Sequence, residues 1–269
     1  MLTATLALAG VAGQGPSSAM AQEGEQAVLR FQPATFIDPM AGGVEALSVL
    51  VPEGWVASGG IEWLPSWSRT AHVRTYVSDP QTGIAVAWLP IQDFIHFRPP
   101  AGLDVPVGGN YQGKAFVPPV RDPERFVRSF WMPSPLGHLA EATLISQRPL
   151  PAVADQFLAG FGGPAEADAW ALRYAYEVDG QPWEQDVVFA LLWSGLGDIT
   201  TWSVNLAYTV SGPAGSIDEH HGTIATIIAS RTTTPAWEAT YRLVQRLFYQ
   251  GIQQQMADTV RFGELLAQY

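Results

Sequence analysis

The chain has 269 residues, 47% of them hydrophobic and 14% charged, a composition that supports a sizeable buried core and argues against disorder. Fourteen Lys and Arg face 25 Asp and Glu, so the net charge is −11; that balance repels phosphate backbones and anionic membrane surfaces, and no nucleic-acid partner is expected. No cysteine occurs, which excludes disulfides, zinc–thiolate sites and cysteine nucleophiles.

In chain order, MLTATLALAG is a short apolar run, followed by polar residues and the triplet Ala19-Met20-Ala21 before Gln22. This pattern reads as a signal peptide over 1–21 and predicts an exported protein, extracellular or periplasmic, cut near Ala21. The basic n-region is missing apart from the terminal amine, which suggests that the native chain starts upstream of Met1. The run is too short for a transmembrane helix and no later segment qualifies, so the protein is not expected to span a membrane.

Residues 22–45, polar and Gly-rich, read as a partly ordered leader. Strands are predicted at 47–56, 72–78 and 83–90, with turn signals at Gly59-Gly60 and from Asp79-Pro80 to Gly83. The stretch Pro52-Glu53-Gly54-Trp55 ends the first strand, since Pro52 cannot donate a ladder bond and Gly54 permits a tight turn. Trp55 then re-enters toward the apolar face of Val49 and Val51.

Residues 97–120 hold two Pro-Pro pairs and four of the glycines, leaving no room for a regular element; a loop this long is commonly functional. Next come a short helix capped by Asp122 with Pro123 at its first position, a strand at 141–148, and a helix at 150–159 stopping at Gly160. In 169–210 the strand period is clear. Trp170, Leu172, Tyr174, Tyr176 and Val178 share one face, and Asp179-Gly180 marks a two-residue hairpin. That turn makes opposed residue numbers sum to 359, which sets Tyr176 against Trp183, Leu172 against Val187 and Arg173 against Asp186. A third strand is predicted to carry Trp202, Val204, Leu206, Tyr208 and Val210 on a single face. Trp170, Trp183 and Trp202 are expected in the core.

A helix over 216–230 is predicted from the capping-box pair Ser216 and Glu219, with Ile217, Ile224 and Ile228 inward. After Pro235, apolar residues from Trp237 through Tyr241, Val244, Phe248, Ile252 and Met256 recur at helical spacing. Uninterrupted to the chain end, that helix would be about 50 Å long. Its distal part is expected to bend at Gly251 or Gly263 or to bind a partner, and self-association through 237–266 is one outcome. The organisation read from sequence is thus signal peptide 1–21, leader 22–45, an α+β domain 46–234 and a C-terminal helix 235–269.

The motifs that suggest chemistry each have a plainer explanation. Gly108, Gly113 and Lys114 have phosphate-loop spacing, but Ala115 replaces the required hydroxyl residue and Pro118-Pro119 bars the following helix. Asp218 and His221, three apart, are weak candidates for metal ligands, and helix capping already explains the acid. Glu177 and Glu184 flank the hairpin as a conceivable carboxylate pair for glycoside hydrolysis, where solvated acids are common. No nucleophile elbow, zincin helix or S-x-x-K motif occurs, and no catalytic residue or cofactor is assigned. Among ten tryptophans, Trp63 and Trp67 lie in a polar loop, and Tyr111 and Phe116 lie in the long loop. These four are the candidate ligand-binding residues, suited to stacking or to gripping an apolar ligand.

The strand from Leu47 into V-P-E-G-W resembles the opening of PsbP-like domains, relatives of the extrinsic photosystem subunit and of a Ran-binding nuclear-import factor. The later order is also similar: antiparallel strands with Asp179-Gly180, then a helix running into IIASRTTTPAW, with Ser230 where that family commonly ends its last helix with Ser. The resemblance spans roughly residues 45–237. It implies an antiparallel sheet sandwiched between helices, usually without catalytic activity; many bacterial members are exported proteins of unknown role. The 97–120 loop and the extended C-terminal helix depart from the minimal domain, and no photosystem-contacting residue carries over. The leading expectation is therefore an exported non-catalytic α+β module that binds a protein or small ligand. The alternatives are a secreted hydrolase acting on carbohydrate or a related substrate, and a structural subunit assembling through its C-terminal helix.

Overall fold

In a computed structural model the chain is described over residues 29–64, 69–99 and 104–266. The signal-peptide pattern with Ala19-Met20-Ala21, the start of the leader, Trp67 and the last three residues lie outside the described residues. The fold is mixed α+β. Among the described residues thirteen strands, β1 (Phe31–Asp38), β2 (Val44–Pro52), β3 (Val56–Trp63), β4 (Ala71–Ser78), β5 (Ala85–Trp88), β6 (Asp93–His96), β7 (Asn110–Tyr111), β8 (Lys114–Phe116), β9 (Thr143–Pro149), β10 (Glu166–Val178), β11 (Gln181–Leu196), β12 (Ile199–Pro213) and β13 (Thr232–Thr233), form two sheets. The large sheet runs β3-β4-β5-β12-β11-β10-β9; β6 extends it from β12, followed by β8 and β7. The small sheet runs β1-β2-β13. Helices α1 (Pro123–Phe126), α2 (Pro151–Ala159), α3 (Ser216–Glu219), α4 (His221–Ser230) and α5 (Pro235–Leu266) complete the described chain.

The β10–β11 hairpin has the predicted register throughout, from Val178 opposite Gln181 to Trp170 opposite Phe189. Asp179 and Gly180 both have positive φ (52° and 74°), as a two-residue turn matched to strand twist requires. Leu172, Tyr174, Val187, Phe189 and Leu191 then share one buried face under α1 and a π-helical turn, Val127–Trp131. Asp122 caps α1, accepting from Arg125 N at 2.6 Å. On the opposite face α2 packs Ala154 against Ala169 and Ala190. Farther along that face, α4 and the small sheet enclose a second core containing Val49, Val51, Val86, Val210, Ile224 and Ile227. Helical segments therefore cover both faces of the large sheet.

Several expectations are corrected. The predicted leader contains β1, which pairs with β2 along its length. Gly59-Gly60 is not a turn but lies inside β3, where a Cβ on Gly59 would come within 2.2 Å of the Arg74 carbonyl oxygen. The third strand does not keep one face: two β12 residues, Asn205 and Leu206, span a single step of β11 between Ala190 and Leu191. This bulge turns Trp202 and Val204 into the core under α1 and sends Leu206, Tyr208 and Val210 to the other side. Residues 97–120 do contain regular structure. Gln112-Gly113 (φ 51° and 75°) closes a small hairpin, β7–β8, and β8 pairs in parallel with β6.

The 216–230 segment is two helices, broken at His220 (φ −100°, ψ 15°). No capping box forms there. Gly215 occupies the cap, and the Ser216 hydroxyl donates to Pro213 O at 2.6 Å. Trp202 is buried, while Trp170 and Trp183 are half-buried. Trp55 is half-buried against the core holding Val49 and Val51. α5 continues through Gly251 and Gly263 as one 32-residue helix, about 48 Å long.

Candidate binding surface

Trp63 ends β3 and stands beside Trp237 and Tyr241 of α5, at centroid distances of 6.3 Å to each; Trp237 and Tyr241 are 5.4 Å apart. Beneath them lies Asp38, fully buried at the end of β1. Its Oδ2 accepts the indole N–H groups of Trp63 (2.8 Å) and Trp237 (2.7 Å), and its Oδ1 accepts Met40 N (3.0 Å) and Ala41 N (3.2 Å). A buried carboxylate persists where its lone pairs are satisfied, and here four donors do so. Three aromatics and an acid are also the composition of a cation cage. These rings touch one another, however, and the acid is saturated by internal donors, so the cluster works as an anchor that fixes α5 to the junction of the two sheets. Trp63 has spent its polar atom on the fold.

The structure brings Tyr111 and Phe116 together, in a different cluster from Trp63. Phe116 is buried against Ile95 and Phe97, Tyr111 is half-buried with its ring 4.8 Å from Phe97, and His96 stacks on Phe116 at 5.4 Å. Trp67 lies outside the described residues. Lys114 belongs to β8, so the phosphate-loop spacing around it sits on a hairpin rather than at a helix start.

The charged side chains converge mainly on Arg173. It binds Asp186 through Nε (2.6 Å) and Nη2 (2.9 Å) and Asp218 through Nη1 (2.8 Å) and Nη2 (2.9 Å). Hydrogen bonds to the two acids raise the guanidinium pKa further, and the bond from Arg173 holds the Asp218 carboxyl below its ordinary value. Asp218, a predicted metal candidate with His221, is thus committed to tying α3 onto the sheet. Among the described residues no group of three or more His, Cys, Asp or Glu side chains is placed to hold a metal ion. Glu184 lies 3.5 Å from Arg173 and joins the same cluster, apart from the exposed Glu177. A second pair, Arg69 with Asp93, is bidentate at 3.1 and 2.9 Å and links the start of β4 to β6. Burial, then the Arg69 charge, lowers the pKa of nearby His72.

Under α1 and the π-helical turn, four buried polar atoms have no hydrogen-bond partner among the described residues: Trp131 Nε1, Trp170 Nε1, Tyr174 Oη and Trp193 Nε1. Trp170 and Tyr174 are about 13 Å apart along their strand, so these groups line a face and do not converge on one ligand atom. Burial, reinforced by Glu124, pushes the Tyr174 hydroxyl up to about 12.

Past its first two turns, α5 carries exposed apolar side chains. From Arg242 to Gly251 no residue of α5 is buried. Leu243 is 50% exposed, Leu247 56% and Phe248 38%. No described helix is long and apolar enough to cross a membrane. Sequence reading missed Asp38 and the Arg69–Asp93 pair. For Asp38 a signal existed, because Ala34, Phe36 and Asp38 occupy the inward phase of β1, and an acid there demands donors. No family model matches this chain, and no curated protein matches it either.

Proposed function

We infer that this chain is an exported, non-catalytic α+β module that binds a protein partner through α5. The observation that carries the reading is the exposed stripe Leu243, Leu247 and Phe248 on a helix held to the body by its first two turns. Contiguous exposed apolar surface of this kind marks interaction sites, and an amphipathic helix is a common form for them. A PsbP-like ancestry is consistent with the Pro52-to-Trp55 turn after β2, the Asp179-Gly180 hairpin, and α4 ending at Ser230 above an antiparallel sheet. The β6–β8 unit and α5 would then be additions to the minimal domain. Export rests on the Ala19-Met20-Ala21 pattern.

The test is site-specific photo-crosslinking in the producing cell. A photoreactive residue at Leu247 should give one defined protein adduct, and the same residue at Ile145, exposed on β9, should not. Equal adducts from both positions, or none from Leu247, would remove α5 as the binding element. N-terminal sequencing of the cell-free fraction checks export, with a mature start at Gln22 expected.

A further inference from the structure

We propose that Arg231, lying over the Thr75–Trp88 pair of the large sheet, anchors a site for the oxyanion of a small ligand, a carboxylate or a phosphate. The site uses no residue of α5, so it stands or falls apart from the α5 reading.

Arg231 occupies the step between α4 and β13. Its backbone is pinned on both sides. The Ser230 hydroxyl accepts Leu50 N and donates to Ile227 O, each at 2.9 Å, and Thr232 pairs with Ser48 of β2. The side chain reaches onto the large sheet, where Thr75 of β4 and Trp88 of β5 are direct cross-strand partners. Nε donates to Thr75 Oγ1 at 3.3 Å, and the guanidinium carbon stands over the Trp88 ring, 5.3 Å from its centroid. A cation is attracted to the ring face, so these contacts hold the guanidinium in place while leaving both Nη groups free.

What this guanidinium lacks is a counter-charge. Among the described residues it forms no ion pair, and neither Nη has an acceptor. Every other arginine whose side chain is described is either ion-paired or exposed; Arg231 is neither. The exception occurs in a chain of net charge −11, where acids outnumber bases. Burial pushes the Arg231 guanidinium down to about 10, with no carboxylate near enough to raise it. A desolvated cation persists in a fold where something pairs with it. The C-terminal dipole of α4 favours a cation, yet no α4 carbonyl accepts from either Nη.

Neither Nη is shut off from solvent, so a ligand can reach the open side of the fork. Paired Nη groups match two oxygens of a carboxylate or phosphate bidentately. Trp88 adds a second donor. It is only 9% exposed, but its indole N–H has no acceptor among the described residues and is likewise not shut off. Ring and guanidinium are stacked, which puts both donors within the span of one small ligand.

The probes are sodium acetate and sodium phosphate, each titrated into the full chain at constant ionic strength with chloride. Nitrogen-15 NMR follows the Arg231 Nε–H and Trp88 Nε1–H resonances, assigned by their loss in Arg231→Lys and Trp88→Phe. At least one anion should shift both together with a Kd on the order of 1 mM, which about four or five heavy atoms can supply. Tighter acetate identifies a carboxylate as the natural group, and tighter phosphate a phosphate. Arg231→Lys keeps the charge but loses the fork and should weaken binding about tenfold. Arg231→Met should abolish it, and the exposed Arg125→Met should leave it unchanged. Without either anion, Arg231→Met should melt at or above the wild-type temperature, because it removes an unpaired, desolvated charge. Three results overturn the proposal: no saturable shift up to about 100 mM, binding that survives Arg231→Met, or a Tm more than about 5 °C lower for Arg231→Met in chloride. The last would mean that the guanidinium is held for Trp88 and Thr75 alone.

Discussion

Replacing Asp38 by Ala removes the acceptor of two indole N–H groups, one of which, on Trp237, belongs to a fully buried side chain. Hydrogen bonds to a charged group contribute about 1.5–3 kcal/mol each, and an orphaned buried donor costs about 1–3 kcal/mol. Two indole bonds are lost together with the Oδ1 turn contacts, so the loss should be about 4 kcal/mol. For a domain of this size that lowers Tm by about 8–16 °C. Asp38→Asn is a finer probe. Its single carbonyl oxygen can keep the two indoles, but its amide then points donor to donor at Met40 N and Ala41 N, and about 2 kcal/mol should be lost. Urea unfolding followed by tryptophan fluorescence measures both, and amide exchange locates the effect. Protection should fall first in residues 235–245, where α5 meets Asp38, and least in β10–β12. A cost below about 1 kcal/mol for Asp38→Ala, or uniform loss of protection across the sheet, would refute the anchor assigned to this carboxylate.

Arg173→Met should destabilise the protein by about 2 kcal/mol, less than a fully buried pair because the cluster is partly solvated. The Asp218 pKa is depressed in the fold, so its contribution is present above the unfolded carboxylate pKa and fades as pH falls through the folded value; the Arg173→Met penalty should shrink in acid when melts are compared across pH. Burial raises Tyr174 and Tyr208 to about 12. Their stabilisation holds below pH 10 and is lost as pH rises toward 12, so alkaline melts should show a decline that Tyr174→Phe reduces. Because Tyr174 Oη has no partner among the described residues, that variant should also be neutral or up to about 1 kcal/mol more stable at pH 7. Gly59→Ala should cost at least about 2 kcal/mol, since φ is 141° and the new Cβ would overlap the Arg74 carbonyl. Deleting Asn205 removes the bulge and reverses the facing of half of β12, and the deletion should yield insoluble protein; a soluble deletion variant with native circular dichroism would contradict the register.

What could be read from sequence was whatever depends on near neighbours. The Asp179-Gly180 turn dictates its own φ values, and every pair from Tyr176–Trp183 to Trp170–Phe189 follows from it. Asp122 and Pro123 likewise start α1 with local chemistry. The failures share a different cause. Asp38 is stabilised by tryptophans 25 and 199 residues away, and no window of sequence contains that pairing. β8 exists because β6 supplies a parallel edge, so Pro and Gly around it gave a loop signal that tertiary pairing overrode. Gly59 looked like a turn because glycine serves both turns and close backbone approaches. Asn205 carries no mark distinguishing a bulge from ordinary alternation, so the face switch is visible only against the β11 partners. At the candidate surface, the α5 period was legible, but the roles of Trp63 and Phe116 depended on partners brought in by the fold.

The bulge at Asn205 gives β12 membership in two hydrophobic cores: Trp202 packs under α1, and Val210 packs with α4 and the small sheet. A strand that keeps one face could be stripped of one core while its other side stayed idle in solvent. Here neither core can open without pulling on the same backbone, so melting of one withdraws support from the other. The two cores should therefore unfold as one cooperative unit, with β12 amides the slowest to exchange. A single inserted residue serves as the mechanical link between them.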